Sequence, residues 1–444
     1  MKELQDIIKA FEQNNKSGQC VAIATLVKAQ GSTYRRPGAR MLMTSEGQMV
    51  GSLSGGCLEG DVFEQAQEVM TSGKPIVVQY DTMSDEDIIW GLGLGCNGIV
   101  QILIERVEAE SPLTHLLHNP PNPPGKEGNS APSPLPGEGW GGVKGLDAKS
   151  ELNHLAFLSE CLQRRPVGIL ATVFQVEGQI KAQVGTRLMV YPDSTVKSDI
   201  EDTELVAQIR DDAGKALYDS RSMVKTYPLL TGKAEVFIEV IQPPVPLMIF
   251  GAGHDAVPLV RLAQELGWYV TVVDSRQADA TRERFQSADE VVLSRPEGIS
   301  DSVSKAVATL GASALPRLRQ HGAEQHSAER VRVNNRTMAV IMTHNYLHDL
   351  ELLKTLLPSP VRYLGILGPK SRTGKLLQDL QEQGITPTEQ QLQRLYSPVG
   401  LNIGADTPEE IALSIVAEIQ AVLGDRSGGS LRNYQGPIHE RSIG

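Results

Sequence analysis

PLMIFGAGHDAVPLVRLAQELGWYVTVVD, residues 246–274, decides the fold of the second half of this chain. A short apolar run leads into Gly251 and Gly253, a helical pattern follows, and a second apolar run ends at Asp274. A strand, a glycine turn, a helix and a strand ending in an acid form the order of a dinucleotide-binding unit of the type G-x-G-x-x-G/A. We therefore predict an α/β, Rossmann-like parallel sheet over residues 243–424, with an unliganded or repurposed sheet as the alternative.

The pattern continues downstream with three more predicted strands, at residues 290–293, 338–343 and 362–368. Parallel sheets of this class bind ligands at the carboxyl ends of their strands. Two histidines at that edge could bind an anion or a metal, or move protons, and cations there could bind a phosphate, although a solvated turn is an equal alternative for the cations. The binding residues predicted at this edge are Gly251, Gly253, His254, Asp274, His344, Lys370 and Arg372, with Asp255, His348 and Asp349 as weaker candidates.

The first half of the chain contains a diverged duplication. VAIATLVKAQGSTYRRPGARMLM (21–43) aligns with GILATVFQVEGQIKAQVGTRLMV (168–190) at one constant spacing, so that Arg40 falls opposite Arg187. Similarity at a fixed spacing indicates repeated structural units. We predict two α+β copies, each with two strands, a helix and further strand, and we assign Arg40 to the fold because both copies keep it.

These patterns divide the chain into five predicted segments. They are a first copy (1–117), a Pro/Gly-rich linker or insertion (118–150), a second copy (151–242), the Rossmann-like domain (243–424, with a polar insertion at about 311–336) and a tail (425–444). Thr407-Pro-Glu-Glu410, which precedes an apolar stripe, predicts a helix that begins with a capping box.

Two cysteines lie among glycines in the first copy: Cys57 in SGGCLEG and Cys96 in GLGLGCNG. Free backbone amides around a thiol favour the thiolate, which is both a nucleophile and a metal ligand. In the second copy Glu204 stands opposite Cys57, and nothing there resembles the Cys96 motif. We therefore predict that Cys57 and Cys96 carry the chemistry, and the sequence does not rank one above the other. The alternative is that the two motifs form tight turns whose thiols are buried.

Other residues near these cysteines suit an anionic ligand. The amides of Gly55, Gly56 and Gly95 could form anion nests. Arg35 and Arg36 could clamp a phosphate, and they align with the uncharged Ala182 and Gln183. Glu59 could carry protons beside Cys57 or simply stabilise the start of a helix. The two remaining cysteines, Cys20 and Cys161, are predicted to pack in the core.

Composition restricts the class of protein. Net charge is -11 with no cluster of Lys and Arg, so we expect no nucleic-acid partner and no anionic membrane surface. The sequence shows no apolar run long enough for a membrane span and no export signal, and its four cysteines form no C-x-x-C pair. We expect a cytoplasmic protein with reduced thiols and no metal site, and we reject one at His321 and His326 because they lack partners.

Seven motifs taken together carry a family resemblance. They are GSTYRRPGARML, GSLSGGCLEGDV, GLGLGCNG, IFGAGHDAVPLVRLAQELGWYVTVVDSR, MTHNYLHDLELL, YLGILGPKSR and SPVGLNIGADTPEEIALSI. The chain resembles the XdhC/CoxI family, accessory proteins for molybdenum hydroxylases such as xanthine dehydrogenase. This resemblance implies an N-terminal XdhC/CoxI domain followed by a C-terminal Rossmann domain.

The resemblance also implies a function. The protein would bind the molybdopterin form of the molybdenum cofactor, protect it while its sulfido ligand is installed, and deliver it to the hydroxylase. Its partners would be that hydroxylase, a cysteine desulfurase and a second copy of the chain. A thiolate at Cys57 or Cys96 could contact molybdenum or relay sulfur, which makes the protein a chaperone more than a free-standing catalyst.

Two other functions stay open at this point. An oxidoreductase could use NAD(P) in the Rossmann domain, although the sequence contains no recognisable Ser-Tyr-Lys set. A thiol-based redox regulator could form a reversible disulfide between Cys57 and Cys96, but its Rossmann signature would then have no use.

Overall fold

The computed structural model describes residues 1–16, 19–81, 98–107, 153–164, 167–275, 278–294 and 333–435. Two compact units are present, one formed by Glu3–Pro243 and the other beginning at Pro244. Gly95, Cys96, the linker at 118–150 and most of the polar insertion lie outside the described residues. In the described ranges, no helix combines the length and the apolar character needed to span a bilayer.

The N-terminal unit consists of two copies of one motif. The first copy contains α1 (Lys2–Lys16), β1 (Val21–Gly31), β2 (Arg40–Thr44), β3 (Met49–Gly51), α2 (Glu59–Ser72), β4 (Ile76–Asp81) and β5 (Gly98–Val107). The second contains α3 (His154–Arg164), β6 (Gly168–Gly178), β7 (Arg187–Val190), β8 (Val196–Ser198), α4 (Thr203–Asp219), β9 (Met223–Leu229) and β10 (Gly232–Ile241).

Each copy forms a five-stranded antiparallel sheet, and the strand orders are the same. They are β3-β2-β1-β5-β4 in the first copy and β8-β7-β6-β10-β9 in the second, which confirms the predicted duplication. The short strands β3 and β8 were not predicted, because each has only three residues and little burial to mark it.

The central strands of each sheet are buried on both faces, which explains the continuous apolar run of β1. Ala22 and Ala24 face α2 within the first copy. Val21 and Ile23, which alternate with them, face a core that also contains Phe11 of α1 and residues of α3, β6 and β7. Side chains on a strand point alternately to opposite faces, so a strand covered on both sides has few polar positions. The second face joins the two copies.

Two buried ion pairs connect the copies reciprocally. Arg40 on β2 pairs with Glu239 on β10 of the second copy, with Nη1 2.9 Å from Oε1. Arg187 on β7 pairs with Glu105 on β5 of the first copy. All four side chains are buried. Arg40 and Arg187 are equivalent positions, and each contacts a glutamate of the other copy. Such reciprocal contacts are the pattern of a two-fold interface. The copies therefore pack as an internal dimer, and Arg40 belongs to its interface, as both copies' retention of it predicted.

A buried histidine beside these pairs gives the N-terminal unit a pH dependence. Nε2 of His154 lies 3.6 Å from the Glu105 carboxylate. Burial, with the positive charges of Arg187 and Arg40, holds the pKa of His154 well below its usual value, so the folded protein keeps this ring neutral. The unfolded chain takes up that proton below about pH 6.5. The folded state is therefore penalised as pH falls below that value, by up to about 1.4 kcal/mol per pH unit.

We expect the urea midpoint of the N-terminal unit to fall between pH 6.5 and 5.5, and we expect His154→Asn to flatten that slope by about one proton. Hydrogen exchange of peptides from β1 and β6 reports this unit separately from the rest of the chain. Equal slopes in the wild type and in His154→Asn would assign the pH dependence to other groups.

The C-terminal unit contains a six-stranded parallel sheet. Its strands are β11 (Pro246–Phe250), β12 (Tyr269–Asp274), β13 (Glu290–Leu293), β14 (Met338–Ile341), β15 (Tyr363–Ile366) and β16 (Leu395–Tyr396). Its helices are α5 (Ala256–Glu265), α6 (Ala278–Arg284), α7 (Tyr346–Leu356), α8 (Lys370–Glu382), α9 (Glu389–Gln393) and α10 (Pro408–Leu423).

The strand order is β13-β12-β11-β14-β15-β16, with every pair parallel, which confirms the predicted Rossmann-like sheet. The chain reverses its direction of winding between β11 and β14, and this is the point where such sheets bind ligands. The predicted capping box of α10 is also confirmed: Thr407 Oγ1 accepts from the Glu410 amide, and Glu410 Oε2 accepts from the Thr407 amide at 3.0 Å.

Candidate functional site

Cys57 lies on an exposed, glycine-containing loop, because the helix that follows it begins later than the equivalent helix of the second copy. In the second copy, α4 begins at Thr203, the position opposite Gly56, whereas α2 begins only at Glu59. Gly55 and Gly56 adopt φ values of 85° and 117°, in the left-handed region that favours glycine. The segment is therefore a loop at the start of α2, and the Cys57 thiol is exposed there.

The carboxylate of Glu59 holds this loop together. It accepts hydrogen bonds from the backbone amides of Leu53 (3.0 Å), Ser54 (2.9 Å), Gly56 (3.0 Å) and Leu58 (3.1 Å). The hydroxyl groups of Ser52 and Ser54 also donate to it. Burial alone would raise the pKa of Glu59, but the hydrogen bonds from Ser54 and Leu53 hold that pKa at about 2. Glu59 is therefore ionised throughout the neutral range.

This arrangement corrects two expectations about the loop. Two of the amides predicted to form anion nests have partners within the loop: the Gly56 amide donates to Glu59 and the Gly55 amide donates to Ser52 Oγ at 3.2 Å, while Gly95 lies outside the described residues. The acceptors are the protein's own carboxylate and hydroxyl groups, so in this structure Gly55 and Gly56 shape the loop and do not offer their amides to a ligand. A carboxyl group with a pKa of about 2 is also unsuited to carry protons near neutral pH.

Replacing Glu59 with glutamine is expected to loosen the loop. The glutamine NH₂ group would replace one carboxylate oxygen, and a hydrogen-bond donor cannot accept from the backbone amides that now donate to that oxygen. We expect hydrogen exchange at Leu53, Ser54, Gly56 and Leu58 to accelerate by about tenfold or more, since each hydrogen bond to a charged acceptor contributes about 1.5–3 kcal/mol. Mass-spectrometric exchange of the 52–59 peptide measures this. The exposed variant Glu64→Gln on α2 is the control, and unchanged protection in Glu59→Gln would contradict the assigned role.

A second segment packs against the Cys57 loop. The ring of Tyr34 lies over Gly55, so that a Cβ there would be 2.9 Å from a ring carbon. Arg35 forms an ion pair with Glu3 of α1, and the same carboxylate accepts from the Ser52 amide at 2.7 Å. Glu3 and Tyr34 were not predicted: Glu3 lies outside the seven motifs, and Tyr34 lies within GSTYRRPGARML but is neither charged nor a nucleophile.

Between these segments is a cavity of about 30 Å³, room for about one small group. Arg35 and Cys57 line it, together with the apolar side chains Leu26, Leu53, Leu58 and Val100. Gly98 also lines it, and this residue is the described end of the motif that contains Cys96. Arg36, which the sequence analysis groups with Arg35, lines a different cavity.

The other two described cysteines have structural surroundings. Cys161 is buried in the core shared by the two copies, and burial raises its pKa to about 12. Cys20 is half-buried, with Sγ 3.8 Å from the carbonyl oxygen of Met70. Both positions fit the packing role expected from the sequence.

In the C-terminal unit, a crevice of about 280 Å³ lies at the carboxyl edge of the sheet. Three residues predicted at this edge line it: Gly251, Asp274 and the weaker candidate His348. Asp274 is buried at the end of β12 and accepts from the Ser275 amide at 2.7 Å. Serine, threonine and asparagine side chains complete the polar part of the wall: Ser275, Ser294, Thr343 and Asn345.

The glycine turn after β11 is closed by protein groups. A Cβ on Gly251 would lie 2.5 Å from the carbonyl oxygen of Met342, and one on Gly253 would lie 2.3 Å from Oδ1 of Asp255. The other oxygen of Asp255 is 2.7 Å from Nε2 of His344, whose φ is 57°. This contact joins the loops after β11 and β14. It also places a carboxylate at the turn where a pyrophosphate would approach a Rossmann sheet.

Three further residues predicted at this edge are not among those that line the crevice. His254 and Lys370 are exposed and do not line it. Arg372 is held by the buried carboxylate of Asp349, with Nη2 2.6 Å from Oδ2, and does not line it either. Its position is fixed by an internal ion pair. Within the described part of the chain, no three His, Cys, Asp or Glu side chains are grouped so that they could hold a metal.

Comparison with known proteins identifies the family to which this two-unit chain belongs. A model described as the XdhC and CoxI family matches residues 15–81 and 161–228, and one described as the XdhC Rossmann domain matches residues 247–419. The chain is 30% identical over 402 residues to a protein of Bacillus subtilis (strain 168) described as a probable xanthine dehydrogenase subunit. That alignment covers 89% of this chain and 91% of the Bacillus protein.

Two further proteins are similar to this chain, one over nearly its whole length and the other over about a quarter of it. A crystal structure described as a xanthine dehydrogenase from Bacillus halodurans superimposes with a TM-score of 0.63 at 28% identity, over 96% of this chain and 99% of the other. The molybdenum cofactor insertion chaperone PaoD of Escherichia coli (strain K12) is 31% identical over 103 residues, which are 23% of this chain and 31% of PaoD. The chain therefore belongs to the XdhC and CoxI family and carries the XdhC Rossmann domain, as its seven motifs predicted.

Proposed function

We propose that this protein binds the molybdenum cofactor, supports its sulfuration and delivers it to a molybdenum hydroxylase of the xanthine dehydrogenase type. The names of two relatives support the proposal: a molybdenum cofactor insertion chaperone and a probable xanthine dehydrogenase subunit. The single observation that carries it is the exposed Cys57 thiol, presented on a loop that Glu59 fixes in place.

Cys57 suits this cargo for chemical reasons. Thiolates are soft ligands that bind transition metals, and a sulfur atom is small enough for the cavity beside Cys57. The loop is rigid before any ligand arrives, because Glu59 already satisfies its amides. A thiol held in one place loses little freedom on binding, which favours affinity. Cys96 stays a second candidate ligand from its motif.

Arg35 and the partners complete the proposal. Arg35 lies beside the cavity while paired with Glu3, so its guanidinium has further donors to offer an oxo or phosphate oxygen. A cysteine desulfurase would supply the sulfur, and the hydroxylase would receive the finished cofactor. We also propose a homodimer of the whole chain as the working form.

A second candidate function is an NAD(P)-dependent activity. Some residues of the Rossmann crevice favour it and one opposes it. Asp274 at the end of β12 suits a ribose diol, and Gly251 lies beside it in the crevice wall. The Asp255 carboxylate over Gly253 opposes a pyrophosphate at the same turn. The residues thus fit a nucleoside better than a dinucleotide, and a bound nicotinamide would supply hydride transfer.

Anaerobic titration of the purified protein with molybdenum cofactor, followed by absorbance, tests the proposal. NAD and NADP serve as competitors. Stoichiometric binding that neither nucleotide displaces supports the chaperone function. Absence of cofactor binding, together with clear nicotinamide binding and turnover at 340 nm, would instead establish the oxidoreductase and make the Cys57 loop structural.

A further inference from the structure

The ring of Tyr34 forms an exposed aromatic surface beside Cys57 that the function proposed above leaves unused. A Cβ on Gly55 would lie 2.9 Å from one ring carbon, and 3.1 and 3.3 Å from the two carbons next to it. Nearly equal distances to three consecutive ring atoms place that point over the face of the ring, not beyond its edge. One face of the ring therefore rests on Gly55. Because 62% of Tyr34 is exposed, the opposite face is open to solvent.

This ring lies close to the thiol. Tyr34 and Cys57 line the same cavity, and Gly55, on which the ring rests, is two residues from Cys57. Two residues of chain span at most about 7 Å, so the thiol is within the length of one small molecule from the ring. The cavity of about 30 Å³ holds only one small group. A larger ligand that reaches the exposed Cys57 thiol must therefore lie outside the cavity, where the open face of Tyr34 is the adjacent surface.

The internal duplication shows that the fold does not require this ring. At the spacing that aligns the two copies, Lys181 stands opposite Tyr34 and Asp202 stands opposite Gly55. Asp202 caps α4 in the ordinary way, because its carboxylate accepts from the Leu205 amide at 3.0 Å. The second copy thus forms the same strand order without the aromatic ring and without the glycine beneath it. Ring and glycine occur together only in the copy that carries Cys57.

We propose that Tyr34 stacks on the pterin ring of the molybdenum cofactor and so positions the metal end of the cofactor at Cys57. This inference rests on the function proposed above and adds a residue that selects the ligand. Aromatic side chains stack in parallel on flat heterocycles, and such contacts contribute substantially to affinity. A thiol alone binds many soft metal ions, whereas a thiol beside a ring also selects for a flat organic part. Tyr34 is a positioning residue, and Gly55 leaves room for its ring.

Fluorescence titration of metal-free pterin-6-carboxylate with the full chain tests the ring without any metal, because a stacked tyrosine quenches pterin emission. We expect saturable quenching by the wild type, and Tyr34→Leu should weaken binding by about tenfold or more. Tyr34→Phe keeps an aromatic face and should bind as the wild type does. Tyr218→Leu is the matched control, since Tyr218 is a 91% exposed tyrosine of the second copy, and it should change nothing. Both tyrosines are exposed, so the variants are expected to fold.

Titration of the same variants with molybdenum cofactor separates this proposal from the function on which it rests. Cys57→Ala should bind pterin-6-carboxylate like the wild type, because stacking needs no thiol. Pterin binding that Tyr34→Leu weakens, without any binding of molybdenum cofactor, would support the stacking role and contradict the chaperone function. Cofactor binding that Tyr34→Leu leaves unchanged would overturn the stacking role alone. Absence of saturable quenching by the wild type, or equal weakening by Tyr34→Phe and Tyr34→Leu, would overturn it as well.

Discussion

Cys57→Ala is expected to lose molybdenum cofactor binding by at least about 100-fold while keeping the wild-type unfolding midpoint. Groups that only support a metal ligand already change affinity by about 10–100-fold, so removal of a ligand should cost no less. The thiol is exposed, and its removal leaves no cavity in a core. Anaerobic titration with the cofactor measures the loss, and circular dichroism melting measures the fold.

Cys20→Ala is the matched control, because Cys20 is a half-buried thiol of the same unit that packs near Met70. It should bind cofactor like the wild type. In cells, the variant with both Cys57→Ala and Cys96→Ala should leave the partner hydroxylase inactive. Full hydroxylase activity in those cells would show that neither cysteine handles the cofactor.

Glu239→Gln should destabilise the N-terminal unit by about 3–5 kcal/mol, the usual cost of leaving one partner of a buried ion pair alone. Arg40 is only 4% exposed, so its charge has no access to water once Glu239 is neutral. Because the two interface pairs are equivalent, Glu105→Gln should have an effect of similar size. Urea titration followed by exchange of β1 and β6 peptides reports this unit alone.

Glu177→Gln provides the comparison, since Glu177 forms an ion pair with Lys233 that is open to solvent. Exposed pairs contribute little to stability, and we expect no measurable change there. If Glu239→Gln behaved like Glu177→Gln, the ion pairs between the copies would not contribute to holding them together.

The fold was predictable because its signals are local or repeated. The strand-turn-helix-strand unit at 246–274 and the capping box at Thr407 each lie within a short stretch of sequence. The duplication was visible because Arg40 and Arg187 recur at the same spacing as the strands around them. Glu105 and Glu239 are 134 residues apart (239 − 105), whereas Arg40 and Arg187 are 147 apart (187 − 40). The constant spacing therefore does not align the two glutamates, and the partners of both arginines stayed hidden until the fold was known.

The site was less predictable, because its contacts join distant parts of the chain. Glycine-rich loops are permissive, so the sequence could not tell that the nest at Gly56 is filled by Glu59. Nothing in the sequence around Arg35 indicates Glu3, and nothing around Arg372 indicates the buried Asp349. A guanidinium near a loop can bind a ligand or a carboxylate of its own chain, and only the folded arrangement decides between them.

The two-fold packing of the copies has a consequence for how this chain could evolve. In a dimer of identical subunits every substitution appears twice, once on each side of the axis. Here both halves are covalently joined, so a change in one half is not copied into the other. The buried arginine and glutamate pairs require both halves to keep matching interface residues. The exposed loops make no such contacts, so their sequences can differ between the two halves. One half could thus carry the exposed thiol of Cys57 on a loop, while the opposite half has an ordinary helix start at Thr203.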